Sequence, residues 1–197
     1  MSRYAAPRRT AATTDRVLAA AAELAAEDRF HTATMEELAQ RAGVSRATVF
    51  TRFQSKLGVL EALTRRCQGG PEIQAIRDAI EIDDPAGALD ALLAASCEFW
   101  ELQGFILAQL KAIVVLEPEA STLIDEQRRE QRVVIERLVR RLDQAGRLRP
   151  GLTRPRATAS LHLLTGLESY AELRQGSGLS QRHAAEMLTE LARTLLR

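Results

Sequence analysis

The chain has 197 residues, of which 46% are hydrophobic and 27% charged, and its formal net charge is +1. This length predicts one or two domains with a sizeable core. No stretch approaches 18 uncharged apolar residues and no apolar run follows the N-terminus, so we expect a cytoplasmic protein without a membrane span or signal peptide. Cys67 and Cys97 are interpreted as buried free thiols in a reducing compartment.

The charge is unevenly distributed along the chain. Residues 1–66 hold eleven Arg and Lys against seven Asp and Glu, whereas the remainder holds sixteen against nineteen. Residues 1–13 carry Arg3, Arg8 and Arg9 without an acid, and we expect a disordered basic arm that touches phosphate or the minor groove when DNA binds. A basic N-terminal end on an acidic body suits a protein that meets DNA at one end only.

Helices are predicted throughout, because alternating β-branched runs bounded by turns do not occur. A first helix is predicted over Thr14–Glu27, where apolar residues form one stripe that packs over the two helices that follow it. Ser55 opens a fourth helix that reaches about Arg66 and ends before Gly69-Gly70-Pro71. We expect this fourth helix to connect an N-terminal head with a larger body.

Residues 34–56 predict two short helices joined by a tight turn. Thr34 is suited to cap the first helix, with Glu37 completing a capping box, and Gly43 is suited to end it. Ser45 is suited to cap the second helix. These signals at this spacing predict a helix-turn-helix.

The second of these helices has two different faces. Val49 and Phe53 recur four residues apart and are expected to be buried. Their burial turns the basic, small and aromatic residues of the helix outward, which suits a helix that enters a DNA groove. The outward residues are Arg46, Ala47, Phe50 and Thr51.

The body is predicted to be helical as well, which gives an all-α fold of about nine helices and no sheet. Its predicted segments are a short helix over Glu72–Ile80, a helix from Asp83-Asp84-Pro85 to about Leu102, an apolar segment from Phe105 to Leu116 that stops before Pro118, the longest helix over Glu119–Ala145, a helix from Pro155 to about Arg174, and a last helix from Ser180 to Leu196.

A series of motif positions over residues 17–63, about a quarter of the chain, resembles the N-terminal domain of the TetR-type transcriptional regulators. Phe50 and Arg52 stand where the family usually has tyrosine and histidine, so a phenolic hydroxyl is lost and a phosphate-binding guanidinium is gained. The matching positions are Val17, Leu18, Ala20, Ala21, Leu24, Thr32, Thr34, Leu38, Ala39, Ala42, Gly43, Val44, Ser45, Thr48, Val49, Phe50, Phe53, Ser55 and Lys56.

The resemblance implies roles for the head residues. It places Arg46, Ala47 and Phe50 near base edges, where arginine pairs with guanine and the other two meet a thymine methyl group. The residues that it places at the DNA backbone are Thr34, Ser45, Thr48, Thr51, Arg52 and Lys56.

The two last helices of the body are apolar on more than one side, so they need a partner beyond their own chain. We expect a homodimer through a four-helix contact, which also lets two heads read one operator. The alternative is burial inside a monomer. The expected interface residues are Leu161, Gly166, Ala184, Met187, Leu188, Leu191 and Leu195.

Aromatic and polar residues within the apolar body are candidates to line a pocket for a small-molecule effector. Each of them singly is also compatible with an ordinary core position, and the identity of the ligand does not follow. The candidate pocket residues are Phe99, Trp100, Phe105, His162, Glu168 and Tyr170.

Catalysis is not expected. His31, His162 and His183 share no metal-ligand spacing, and neither a phosphate-binding loop nor a nucleophile elbow occurs, so we expect no metal or cofactor. The sequence favours a ligand-responsive repressor with an arm (1–13), a DNA-binding domain (14–54) and a ligand-binding and dimerisation domain (55–197). The alternative is a helical interaction or scaffold protein whose head does not bind specific DNA.

Overall fold

The computed structural model describes residues 5–114 and 121–197, with side chains from Thr10 onward. Within these ranges the chain forms ten α-helices and no strand, which confirms the all-α fold. The helices are α1 (Ala5–Ala26), α2 (Met35–Arg41), α3 (Arg46–Phe53), α4 (Lys56–Gln68), α5 (Pro71–Ala79), α6 (Pro85–Val114), α7 (Ser121–Gln144), α8 (Arg154–Leu164), α9 (Leu167–Ala171), continued by a π-helical turn (Glu172–Gly176), and α10 (Gln181–Arg193).

The helices belong to two compact units. Unit 1 comprises the described residues of 1–68 and 105–124, and unit 2 comprises 69–104 and 125–197, so α6 supplies residues to both. The predicted boundary after residue 54 divides the DNA-binding domain from the ligand-binding domain by function, not by packing, and it stays a prediction. By contacts, α4 belongs with α1–α3 in unit 1.

The core of unit 1 joins α1–α4 with the second part of α6. Leu24, Leu38, Val49 and Leu60 are at most 1% exposed, and Leu110 of α6 is packed in the same cluster. Burial of such side chains contributes roughly 1.5–3 kcal/mol each, which stabilises α2 and α3, helices too short to be stable alone. The unit therefore needs part of α6 to complete its core.

Helix α1 begins at Ala5, nine residues earlier than the sequence predicted. Residues 5–13 are thus helical, and the expectation of a disordered arm fails for them. The segment is rich in alanine, and its Pro7 falls in the first turn, where the missing N–H leaves no intrahelical bond unmade. Residues 1–4, with Arg3, lie outside the described part of the chain.

Helix α6 has 30 residues and extends to Val114, whereas the sequence predicted that it ends near Leu102. Gly104 does not interrupt it. A Cβ added at Gly104 would lie 2.9 Å from Leu167 Cδ1, so the glycine permits close packing on α9. Among the described helices α6 is the longest, not α7 as expected. The predicted stop at Pro118 and the predicted helix start at Glu119 fall between the two described ranges.

By length and composition, α6 is also a helix that could cross a membrane, with a mean hydropathy of 1.2 over an 18-residue window. The expectation that no segment qualifies was therefore too strict. Core helices of soluble proteins meet the same criterion. Ser96 and Gln109 on this helix are 5% and 1% exposed, and such buried polar groups need hydrogen-bonding partners.

The predicted helix from Pro155 to Arg174 is broken in two. Gly166 has extended backbone (φ −82°, ψ 155°) between α8 and α9. A Cβ there would lie 3.3 Å from the carbonyl oxygens of His162 and Leu163, closer than most side chains permit. Gly166 thus lies at a helix break, and its expected place in the dimer interface stays a prediction.

Candidate functional site

The local geometry of α2 and α3 is that of a helix-turn-helix. Thr34 Oγ1 accepts the Glu37 N–H at 3.1 Å, and Ser45 Oγ accepts the Thr48 N–H at 3.1 Å, so both predicted N-caps are confirmed. Gly43 has φ of 63°, which glycine adopts at little cost and other residues rarely do. The turn therefore has the geometry that its sequence predicts.

The outward face of α3 carries the three predicted base-contacting residues together. Arg46 and Ala47 are exposed, and Phe50 is 58% exposed although it is large and apolar. Val49 on the opposite face is completely buried, whereas Phe53 is only half-buried. An exposed phenylalanine beside an arginine on a capped helix gives a surface that can meet base edges.

The small hydroxyl residues predicted at the DNA backbone lie near this face. Ser45 Oγ and Thr48 Oγ1 are 2.8 Å apart, and Thr51 Oγ1 donates to the carbonyl of Ala47 at 2.8 Å. Thr34 and Ser45 are exposed at the N-termini of α2 and α3. Their hydroxyls are held locally but keep further hydrogen-bonding capacity.

The two basic residues predicted at the backbone are held inside unit 1. Arg52 donates to Thr14 Oγ1 at 2.8 Å, which joins α3 to α1. Lys56 Nζ donates to the carbonyls of His31 at 2.6 Å and Ala33 at 3.3 Å. Sequence reasoning missed the partners of Lys56 because carbonyl acceptors in a loop leave no residue-type signal.

Ion pairs hold the turn against α1. Arg41 at the end of α2 donates to both carboxylate oxygens of Glu27, at 2.6 and 3.1 Å. This hydrogen bonding lowers the pKa of the Glu27 carboxyl. Arg16 of α1 donates to the carbonyl of Gly43 at 3.4 Å. The position of α2 thus depends on α1 at both the end of the helix and the turn.

The predicted dimer residues separate into two groups. Leu161, Ala184, Leu188 and Leu195 are at most 9% exposed, so they pack inside unit 2 of a single protomer. Two remain on the surface of α10, and a third large apolar residue, not predicted, is exposed on α8. These are Met187 (45% exposed), Leu191 (47%) and Leu163 (64%).

The predicted pocket residues are not all in one unit. Phe105 belongs to unit 1, and the other five belong to unit 2. Trp100 is 7% exposed and its indole Nε1 donates to the Thr165 carbonyl at 2.8 Å, with the Phe99 ring edge-on at 4.7 Å. Gln131 also donates to Thr165, at 3.1 Å to its carbonyl. This cluster anchors α6 and α7 at the break after α8.

Tyr170 is committed to an ion pair within unit 2. Its hydroxyl donates to Glu101 at 2.5 Å, and Arg174 donates to the same carboxylate at 2.8 and 3.0 Å. The hydrogen bond from Arg174 lowers the pKa of Glu101, whereas burial and then the Glu101 contact raise the pKa of Tyr170. The hydroxyl of Tyr170 is therefore satisfied without a ligand.

His162 is the predicted pocket residue with an unused hydrogen-bonding atom. Its Nδ1 is buried without a partner among the described residues. Burial lowers the pKa of His162, and Arg132 and Arg128 lower it further, against the opposing effect of Glu168. Glu168 itself is exposed. The neutral imidazole therefore offers a nitrogen that a bound molecule could engage.

The buried thiol of Cys97 is not activated. Cys97 is buried, Cys67 is only half-buried, and both are thiols rather than disulfides. Burial raises the pKa of Cys97 to about 11, so its thiol is protonated at neutral pH. Among the residues that the structure describes, no three His, Cys, Asp or Glu side chains are grouped to hold a metal ion.

Residues 17–63 match the family model described as bacterial regulatory proteins, tetR family. No curated protein matches the sequence. Solved structures with the same fold include a tetR-family regulatory protein from Rhodococcus RHA1 (20% identity, TM-score 0.74, covering 93% of this chain and 96% of that one). Another is NalD, the secondary repressor of the MexAB-OprM multidrug efflux pump in Pseudomonas aeruginosa (26% identity, TM-score 0.70, covering 93% and 96%).

A third similar structure is AibR, solved in complex with isovaleryl coenzyme A and operator DNA (18% identity, TM-score 0.70, covering 91% and 97%). The coverage shows that the likeness in fold extends well beyond the head. The family match, by contrast, covers α2, α3 and parts of α1 and α4, and it includes the capped turn and the exposed face of α3. Residues 17–63 thus form a domain of the tetR family of bacterial regulatory proteins, and the chain as a whole shares the fold of the solved regulators.

Proposed function

We propose that the protein is a dimeric, ligand-responsive repressor that binds a roughly palindromic DNA operator. The observation that carries this proposal is the exposed face of Arg46, Ala47 and Phe50 on a helix fixed by the Ser45 cap. In this proposal residues 14–54 bind DNA, residues 55–197 bind ligand and dimerise, and the basic residues of 1–13 add contacts to phosphate or the minor groove.

The head divides its DNA contacts by type. Arg46 pairs with a guanine edge, and Ala47 and Phe50 contact thymine methyl groups. The hydroxyls of Thr34, Ser45, Thr48 and Thr51 hold phosphates, as do the side chains of Arg52 and Lys56. Both side chains also donate to protein oxygens, which fixes their positions within unit 1.

A second copy of the chain covers the exposed apolar residues of α8 and α10. Leu163, Met187 and Leu191 form the proposed contact, since side chains of this size and exposure gain by leaving water. The buried residues Leu161, Ala184, Leu188 and Leu195 support that surface from within the protomer. Pairing two heads supplies the specificity that one short recognition helix lacks.

The effector is a small, largely apolar molecule bound in unit 2. AibR was solved with isovaleryl coenzyme A, and NalD represses a multidrug efflux pump, so proteins of this fold include ligand-bound and repressor examples. In this chain His162 supplies a hydrogen bond from within unit 2, which also contains the aromatic pair Phe99 and Trp100. Release follows if the ligand prefers the state that binds DNA weakly.

The protein is proposed to act in the cytoplasm and without enzymatic activity or a cofactor. The match of residues 17–63 to a family of DNA-binding regulators supports this assignment. Function then depends on binding equilibria alone.

A gel shift with the gene's own upstream region tests the proposal. We expect the protein to retain this DNA in the presence of excess random DNA, and Arg46→Ala to lose that preference. A protein that binds neither DNA, or both equally, would instead be the helical interaction or scaffold protein considered from the sequence.

A further inference from the structure

A buried glutamine of α6 holds the loop between α1 and α2. Gln109 is 1% exposed. Its Oε1 accepts the backbone N–H of His31 at 2.9 Å and lies 3.0 Å from His31 Nδ1, while its Nε2 donates to Asp28 Oδ1 at 2.5 Å. We call Asp28, His31 and Gln109 the loop clasp.

The chemistry of the loop clasp fixes its orientation. The Asp28 carboxylate only accepts hydrogen bonds, so the Nε2 end of Gln109 faces it and Oε1 faces His31. Both contacts to Oε1 then require donors, which places a hydrogen on His31 Nδ1. Every polar atom of the Gln109 side chain is thus used, as a buried amide requires.

The loop clasp acts on a segment with unusual backbone geometry. Asp28 has φ of 55°, a region that residues other than glycine seldom adopt, although aspartate tolerates it better than most. Its side chain is 85% exposed, so the loop does not hold it by packing. The hydrogen bond from Gln109 ties this carboxylate to α6.

The same loop is held from the other side by Lys56. The carbonyl of His31 accepts from Lys56 Nζ, while its N–H donates to Gln109. The loop leads directly into Thr34, the N-cap of α2, and Lys56 begins α4. The position of this loop therefore determines where two candidate phosphate-contacting residues lie.

We propose that Gln109 is a positioning residue for operator binding: through the loop clasp it sets the position of Thr34 and Lys56 against DNA. The proposal rests on the proposed DNA-binding function. Gln109 lies outside residues 17–63, which match the family model, so it extends the determinants of DNA affinity beyond the head. An apolar residue would fill the same space among Ile106, Leu110 and Ile113 without holding the loop.

Two sets of variants test the proposal, by fluorescence anisotropy with operator and random duplexes over a series of salt concentrations. Asp28→Ala removes the acceptor, whereas its charge-matched control Asp28→Asn keeps an acceptor oxygen and tolerates positive φ. We expect Asp28→Ala to bind operator about tenfold more weakly than Asp28→Asn, with a changed salt dependence. Asp28 is exposed, so both variants should fold.

The second set exchanges donor and acceptor. Gln109→Glu opposes two carboxylates and should weaken operator binding, and adding Asp28→Asn restores a donor–acceptor pair and should recover it. Circular dichroism defines a temperature at which all variants are folded. Gln109 has no positioning role if folded Asp28→Ala binds operator as Asp28→Asn does, or if folded Gln109→Glu binds it as the wild type does. The same conclusion follows if the double variant regains the wild-type melting temperature but not the wild-type affinity for operator. Wild-type protein that does not prefer operator to random DNA would refute the proposed function itself.

Discussion

At the scale of single residues, the outward face of α3 is defined by exposure more clearly than by sequence. Val49 is buried and Phe50 is 58% exposed one position later, so the helix presents an apolar ring to solvent. That exposure leaves the ring accessible on the face proposed to meet a thymine methyl group. The outward orientation of Arg46, Ala47 and Phe50 follows from the four-residue spacing of Val49 and Phe53, whereas their base contacts stay a prediction.

Arg46→Ala is expected to cost about 1–3 kcal/mol on the cognate operator and to relax preference at one base position. The physical reason is the loss of two hydrogen bonds to a guanine edge. Titrations with a set of single-base operator variants measure both effects. Arg65→Ala, which removes the same charge from an exposed site on α4, is the control. Equal losses of affinity for cognate and random DNA would contradict the base-reading role.

The hydrogen bonds of Lys56 are an example of contacts that the sequence pattern does not predict. The family resemblance places it at a phosphate, and the structure adds two carbonyl partners in the loop after α1. Backbone acceptors have no sequence signature, so only the folded loop reveals this second role. A lysine with three N–H donors is able to serve both.

Glu101 should make the protein sensitive to acid. Its pKa lies below the ordinary value of 4.5 because Arg174 and Tyr170 donate to it in the folded state. The stabilisation is present above that ordinary value and is lost as the pH falls through the lowered pKa. We expect Glu101→Gln to reduce the free energy of unfolding by about 1 kcal/mol near neutral pH, since the pair is partly exposed.

Urea denaturation of wild type and Glu101→Gln between acidic and neutral pH measures this difference. The gap between the two curves should narrow as the pH drops below the ordinary carboxyl pKa. Glu98→Gln is the matched control, because Glu98 is exposed on the same helix. A gap of constant size across the range would show that the carboxylate charge is not the stabilising feature.

At the scale of helices, the sequence predicted correctly where several helices begin, but not whether a helix continues through a glycine. Thr34, Ser45 and Ser180 all cap helices as predicted, because a side-chain oxygen at the N-cap is a local property. The predicted end of a helix near Leu102 and the predicted continuous helix from Pro155 to Arg174 were wrong, because Gly104 packs against Leu167 and Gly166 lies close to carbonyls of α8. Such tertiary contacts are invisible in a single sequence.

The surface of α10 permits a direct test of the proposed dimer. Leu191→Arg places a cation on the exposed apolar face, so the dimer should dissociate while the protomer stays folded. Leu188→Arg, three residues earlier, buries the same cation inside unit 2 and should unfold the protomer. Sedimentation velocity reports the mass and circular dichroism the helix content. A folded Leu191→Arg dimer would place the interface on another surface.

At the scale of the whole molecule, regulation requires that ligand and operator compete through the protein. Linkage demands reciprocity: a ligand that weakens operator binding by some factor must itself bind more weakly by that factor when operator is present. Trp100, the single tryptophan, lies in unit 2 beside Phe99, so its fluorescence should report occupancy there. The ligand can thus be followed without a label.

We expect small, largely apolar effectors to change the fluorescence of Trp100 and to lower operator affinity by roughly 5–150-fold, the usual range of coupling between two sites. Titrations with and without operator measure both sides of the linkage. His162→Phe should weaken ligand binding through loss of the buried nitrogen, yet leave operator affinity without ligand unchanged. A molecule that binds equally well in both conditions is not an inducer, however tightly it binds, because it cannot shift the equilibrium between the two states.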